Sequence, residues 1–157
     1  MRPAAAETQT DGCRGCGRLP TLAPMPTAPI LIVDDSASFR TVARMALERA
    51  GYRVIEANDG AAALRHLDGP PLLCIVSDVN MPHMDGVAFV EQVKAHARQR
   101  FVPIVMFSTE ANLRKMSRCR EAGVRAWLSK PFHSDVLVDA VRKLAGPPGT
   151  HPTGPLP

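Results

Sequence analysis

Three aspartates, a serine and a lysine stand at the ends of short apolar runs that are far apart in the chain. Asp34 and Asp35 follow Ile30-Leu31-Ile32-Val33, and Asp78 follows Leu72-Leu73-Cys74-Ile75-Val76 by two residues. Ser108 follows Ile104-Val105-Met106-Phe107, and Lys130 comes two residues after Ala126-Trp127-Leu128. Three carboxylates in one cleft would repel each other, raise their own pKa values and cost stability unless a cation neutralised them. With no His or Cys at those run ends, the oxygen-only set suits Mg²⁺, or Mn²⁺, better than zinc. A carboxylate facing such an ion can attack a phosphoryl group and become an aspartyl phosphate. The charge spread over the transferring oxygens then calls for more donors, which Lys130 as a compact cation and Ser108 as a hydroxyl would supply. The plainer alternative is a set of ordinary loop residues or a surface ion-pair cluster. Its weakness is that ionisable groups recur together at several run ends.

The elements that would bring these residues together are legible in the hydrophobic pattern. The five apolar runs, with Tyr52-Arg53-Val54-Ile55 as the second, predict β-strands, and the near-continuous ones predict strands buried on both faces of a parallel sheet. Each is followed by a candidate helix. After the first, Phe39, Val42, Ala43, Ala46 and Ala50 repeat at helical spacing, with Ser36 as cap and Gly51 as stop. Phe89, Val90, Val93 and Ala97 do the same after the third strand, and Val136, Leu137, Ala140, Val141 and Leu144 after the fifth, opened by Ser134 or His133. A short Ala-rich helix over 60–67 and a weakly amphipathic one over 111–122 complete five βα units. Right-handed crossovers close such units into a doubly wound α/β sheet, whose C-terminal strand ends share one edge, where open α/β folds bind ligands. Glu56 ends the second strand on pattern alone but is left out of the cluster, because an edge strand can end away from that binding point.

The 157 residues suffice for one well-buried domain, read as 29–145, between disordered Pro-, Ala- and Gly-rich tails at 1–28 and 146–157. No apolar run approaches the roughly 20 residues needed to cross a bilayer, and the start has no signal-peptide segment, so a cytoplasmic setting is expected. The net charge of +4 invites a nucleic-acid partner, yet Lys and Arg are scattered among the acids. Their one dense group, Arg114, Lys115, Arg118 and Arg120, reads as a solvated helix face or as a surface for an acidic partner. Cys13 and Cys16 make half a zinc site at best, and Cys74 and Cys119 stand where small apolar residues would. His66, His83, His96, His133 and His151 share no spacing that would build a site.

These residues resemble the response-regulator receiver family and, within it, the CheY-like single-domain chemotaxis regulators. The resemblance rests on Asp34-Asp35, on the run Ser77-Asp78-Val79-Asn80-Met81-Pro82-His83-Met84-Asp85-Gly86, on Ser108 with Glu110-Ala111, and on Lys130-Pro131-Phe132, and it spans about Pro29 to Ala145. It implies the flavodoxin-like (βα)5 receiver fold with strand order 2-1-3-4-5, and Asp78 as the phosphoacceptor. Mg²⁺ would be bound directly by Asp35, Asp78 and the backbone carbonyl of Asn80, with Asp34 contributing directly or through water. Lys130 would contact the phosphoryl group, from the far side of a cis Lys130-Pro131 bond, and Ser108 would follow that group inward. Asn80 and Glu110 would flank the path of the attacking water in dephosphorylation. Two departures from the family stand out: Ser108 where Thr is commoner, and Trp127 where a smaller aromatic usually rotates as part of the switch. Trp127 as a plain packing residue is the competing reading.

The resemblance further implies a histidine kinase as phosphoryl donor and a protein target docked through the face formed by helix 4, strand 5 and helix 5, bearing Arg114, Lys115, Arg118 and Arg120. It implies a phosphoacceptor with its own phosphorylation and dephosphorylation chemistry, not a turnover enzyme, working as a monomer or as a weak dimer formed on phosphorylation. A phosphate sink, or a degenerate receiver serving as a scaffold, is an alternative. An aspartyl-phosphate phosphohydrolase is disfavoured, because Asn80 stands where those enzymes place a second Asp. Direct DNA binding is disfavoured too, since no helix-turn-helix segment remains once the receiver is subtracted.

Overall fold

A computed structural model describes residues 27–109 and 113–149. Five strands, β1 (Ile30–Val33), β2 (Val54–Ala57), β3 (Cys74–Asp78), β4 (Ile104–Ser108) and β5 (Ala126–Ser129), alternate with five helices. These are α1 (Ala37–Arg49), α2 (Gly60–Leu64), α3 (Gly86–Ala95), α4 (Leu113–Glu121) and α5 (Ser134–Ala145). The sheet is parallel throughout, in the order β2-β1-β3-β4-β5. This is the flavodoxin-like arrangement expected from the sequence.

The strands that read as unbroken apolar runs, β1, β3 and β4, are buried along their whole length, as strands covered by helices on both faces must be. One face, with Leu31, Val33, Ile75, Ile104 and Met106, packs against α2, α3 and α4 through Ala63, Val90, Val93 and Cys119. The other, with Ile30, Ile32, Cys74, Val76, Val105 and Phe107, packs against α1 and α5 through Ala43, Leu47, Leu137 and Val141. Cys74 and Cys119 serve as buried apolar residues, and burial pushes their thiols up to about 12 and about 11.

Several sequence expectations shift in detail. On α1 the inward stripe runs through Ala43 and Leu47, one turn apart, which swings Val42 outward to 59% exposure; Val136 at the start of α5 is likewise exposed. Helix α3 stops at Ala95, where His96 turns extended, so Ala97 is exposed outside the helix. Helix α2 ends at Leu64 and continues as turns. Strand β2 begins later than expected, and β3 runs on through Asp78 itself. Two residues assigned to the tails are tied to the domain: Ala28 is buried, and the Gly146 carbonyl accepts a hydrogen bond from the Tyr52 hydroxyl at 2.8 Å. Cys13, Cys16 and His151, with the rest of residues 1–26 and 150–157, lie outside the described residues.

Gln99 is a buried polar residue that no periodicity announces. Its carbonyl accepts from the Leu72 amide at 3.2 Å, and its amide donates to Leu67 and Pro70 carbonyls at 3.3 Å. It satisfies the backbone entering β3, which buried strands require.

Candidate functional site

The strand order reverses between β1 and β3, and the residues with chemistry flank that point. Asp34 and Asp35 leave β1, Asp78 closes β3, and carboxylate oxygens of the three lie within 4.8 Å of one another. Asp34 and Asp78 are buried, whereas Asp35 is exposed at the mouth. Lys130, just past β5, reaches between the buried pair: its Nζ donates to Asp34 Oδ2 at 2.9 Å and to Asp78 Oδ2 at 3.0 Å. The Lys130-Pro131 bond is cis, as the family resemblance implies.

Local backbone fixes the carboxylates. The other Asp34 oxygen accepts from the Ser36 amide at 2.7 Å, and Asp78 Oδ1 accepts from the Asn80 amide at 3.2 Å. Ser36 in turn caps α1 by accepting from the Phe39 amide, so the acidic turn leads directly into the helix. Asp85 caps α3 through the Ala88 amide, ending the loop that begins at Asp78. Burial pushes the Asp34 carboxyl above the ordinary carboxylate range, against the pull of Lys130 and the Ser36 amide. Burial acts on Lys130 in the opposite sense, but hydrogen bonds and charge from Asp34 and Asp78 outweigh it and hold the ammonium above its usual value.

Ser108 ends β4 and is buried. Its carbonyl accepts the Lys130 amide at 2.8 Å, so serine and lysine are adjacent rungs of one ladder. Trp127 lies opposite Met106 on β5, half-buried against the cluster on the α2–α4 side. Glu110 lies outside the described residues. Glu56 sits in β2 with its carboxylate turned to α1, 3.0 Å from Arg44 Nε and 3.7 Å from Arg40 Nε, apart from the acidic cluster.

The basic group on α4 divides. Lys115 Nζ donates to Asn80 Oδ1 at 3.0 Å and lies 3.5 Å from Asp85, while Arg118 donates to Glu91 of α3 at 2.6 Å. The acids on α3 and its preceding loop draw these two toward the α3 side, although Arg118 stays exposed, as do Arg114 and Arg120. Two of the four residues expected on the docking face thus also contact α3 and the loop before it.

Sequence reasoning did not find three supporting residues. Arg40 Nη1 donates to the Asp34 carbonyl at 2.7 Å, bracing the acidic turn from α1; a basic residue one and a half turns beyond paired acids was the available signal. Lys115 was seen only as part of a charge group. Gly86 belongs to the motif after Asp78, but nothing in the sequence pattern explains why glycine stands there. A Cβ there would lie 2.1 Å from the Asp78 carbonyl oxygen and 2.9 Å from Val79 Cα, so the loop closes only over a bare backbone.

A parallel sheet carrying three acids at its reversal point, with a lysine and a buried serine from the last two strands, defines a receiver. The chain belongs to the response regulator receiver domain family, whose profile matches residues 30–142, and so to the proteins of two-component signalling. Among its relatives is chemotaxis protein CheY1 of Helicobacter pylori, 34% identical over 119 residues, covering 74% of this chain and 96% of that one. Among solved structures it is similar to chemotaxis protein CheY4 of Vibrio cholerae, with 38% identity and a TM-score of 0.71 over 74% of this chain and 98% of that chain. It is also similar to the receiver domain of the sensor histidine kinase PA1611 from Pseudomonas aeruginosa PAO1, which holds a magnesium ion in its active-site cleft. That match has 29% identity and a TM-score of 0.69 over 76% of this chain and 98% of that chain. Among the described residues no helix is long and apolar enough to cross a membrane.

Proposed function

We propose that this protein accepts a phosphoryl group from a histidine kinase on Asp78, in a Mg²⁺-dependent reaction, and signals by docking to another protein. The observation that carries the reading is the Asp34, Asp35 and Asp78 cluster with Lys130 bridging its buried pair. Asp35, Asp78 and the Asn80 carbonyl are the direct metal ligands in this reading, with Asp34 buried behind them. The donor set fits a hard divalent cation, because it offers oxygens alone and gathers more negative charge than one lysine offsets. Bound there, such an ion would neutralise charge on the phosphoryl oxygens.

The chain's own residues do the rest. Asp78 is the nucleophile, held by the Asn80 amide on one oxygen, and Lys130 stands ready for the charge that grows on the phosphoryl group. Ser108, buried next to Lys130 in the ladder, supplies a hydroxyl that moves toward the new phosphate and links chemistry to conformational change. Asn80 and Glu110 govern access of the hydrolytic water. The protein is thereby a phosphoacceptor whose site also sets its own decay, not a turnover enzyme. Its target docks at α4, β5 and α5, where Arg114 and Arg120 are exposed, and its setting is the cytoplasm.

The test is intact-mass measurement after incubation with acetyl phosphate, with and without Mg²⁺. Wild type with the ion gains one phosphoryl group, and Asp78→Asn gains none. An equal adduct in the variant removes Asp78 from the role.

A further inference from the structure

Lys130 is held by more than its two carboxylates. Its ammonium lies over the Phe39 ring, 4.3 Å from the centroid, and over the Phe107 ring at 4.6 Å. The two rings are themselves 4.6 Å apart, and Phe132 closes on both, edge-on to Phe39 at 5.7 Å and 6.0 Å from Phe107. Phe39 comes from α1, Phe107 from β4, and Phe132 from the turn after Lys130, so three separate stretches converge behind one lysine. An aromatic face attracts a cation within about 6 Å of its centroid, more strongly where water is excluded. The Lys130 side chain is only 17% exposed and Phe107 is fully buried, so the Phe107 contact in particular is shielded from water. A lysine head is a compact charge on a flexible four-carbon stem, and hydrogen bonds to two carboxylates leave that stem several ways to reach them.

We propose that Phe39 and Phe107 form a cation–π cradle that fixes the Lys130 ammonium where the phosphoryl group on Asp78 will meet it, with Phe39 as a positioning residue. This rests on the reading of Asp78 as the phosphoacceptor. A donor already in place when charge develops loses nothing to reorganisation. The charge on the face of the ring at position 39, and not only its volume, therefore sets the rate of phosphoryl uptake. Phe107 is wholly buried in the core, so its replacement would confound fold with function. Phe39 is half-buried and can be varied.

The experiment places mono-, di- and trifluorophenylalanine at position 39 of the full chain, draining charge from the ring face stepwise while keeping its shape, alongside Phe39→Tyr and Phe39→Leu. Initial rates of adduct formation with acetyl phosphate and Mg²⁺ are read by intact mass. The logarithm of the rate should fall in step with fluorine count, reaching about threefold to tenfold below wild type for the trifluoro ring. Tyrosine should stay within about twofold of wild type and leucine should fall at least as far as the trifluoro ring. A flat fluorine series with a phosphorylated wild type would make the ring a packing wedge and overturn the cradle, whatever leucine does to the fold. A wild type that takes up no phosphoryl group would instead overturn the phosphoacceptor reading on which the cradle rests.

Discussion

Replacing Gly86 with alanine sets two physical effects against each other and separates them by sign. Gly86 is the first residue of α3, and alanine is favoured over glycine inside a helix by up to about 1 kcal/mol, so propensity alone predicts a stabilised protein. The surroundings predict the reverse. The added Cβ would meet the Asp78 carbonyl oxygen at 2.1 Å, Met106 Cε at 2.8 Å and Val79 Cα at 2.9 Å. Methionine can turn aside, but the other two atoms are backbone, and ordinary contact begins near 3.4 Å, so the loop must open by more than an ångström. The Gly86 amide donates to the Val79 carbonyl at 2.9 Å, and that opening strains or breaks the bond. Overpacking of this kind costs typically 1–3 kcal/mol, to which a lost hydrogen bond adds about 1 kcal/mol. Net of propensity, Gly86→Ala should destabilise by about 1–3 kcal/mol in urea unfolding followed by circular dichroism. Because the displaced atom belongs to Asp78, phosphorylation by acetyl phosphate should also slow, by more than the unfolded fraction explains. A variant at least as stable as wild type, phosphorylated at the wild-type rate, would refute the close approach.

Removing the Asp35 carboxylate should weaken Mg²⁺ binding more than Asp34→Ala does, because a direct ligand outweighs one buried behind it; titrations that leave both variants at wild-type affinity would contradict the site. Burial holds the Asp34 carboxyl above the ordinary range, so a proton competes with the ion there, and wild-type Mg²⁺ affinity should decline as pH falls into that raised range. Lys115 holds Asn80 Oδ1 at 3.0 Å, so Lys115→Met should change the decay of the phosphorylated protein in the same direction as Asn80→Ala, with no added effect in the double variant. Trp127 is the only tryptophan and packs half-buried on β5, so its emission should shift when Mg²⁺ and a beryllofluoride phosphoryl mimic are added, and stay fixed in Asp78→Asn. Emission that never responds in wild type would leave Trp127 as packing alone.

The parts of the fold legible in the sequence were those where one pattern dominates. The unbroken runs of β1, β3 and β4 could only be doubly covered strands, and the polar residue after each run then fell on one edge by topology. Boundaries were less legible where patterns overlap. Ser77 and Asp78 look like loop residues by composition, yet they continue β3, because a strand can end on the polar residue it delivers. Val42 and Val136 looked inward because a helical stripe read from sequence is uncertain by one position, and one position turns a side chain through a large angle. Within the site, carboxylates and lysine announced themselves by type. Arg40, Phe39 and Gly86 did not, since each acts through a contact between distant segments: a carbonyl braced from α1, a ring under a lysine 91 positions later, a Cβ that must be absent. Lys115 and Arg118 were seen as charges, but the direction in which α4 presents them depends on acids from α3 and its loop.

The central claim, that Asp78 becomes an aspartyl phosphate, is tested most directly by trapping the acyl phosphate chemically. Wild-type protein treated with acetyl phosphate and Mg²⁺ is reduced with borohydride, which converts an acyl phosphate to an alcohol, then digested and mapped by mass spectrometry. The site geometry predicts homoserine at position 78 alone, dependent on Mg²⁺ and absent without the phosphoryl donor. Reduction at Asp34, Asp35 or another carboxylate, with Asp78 intact, would contradict it.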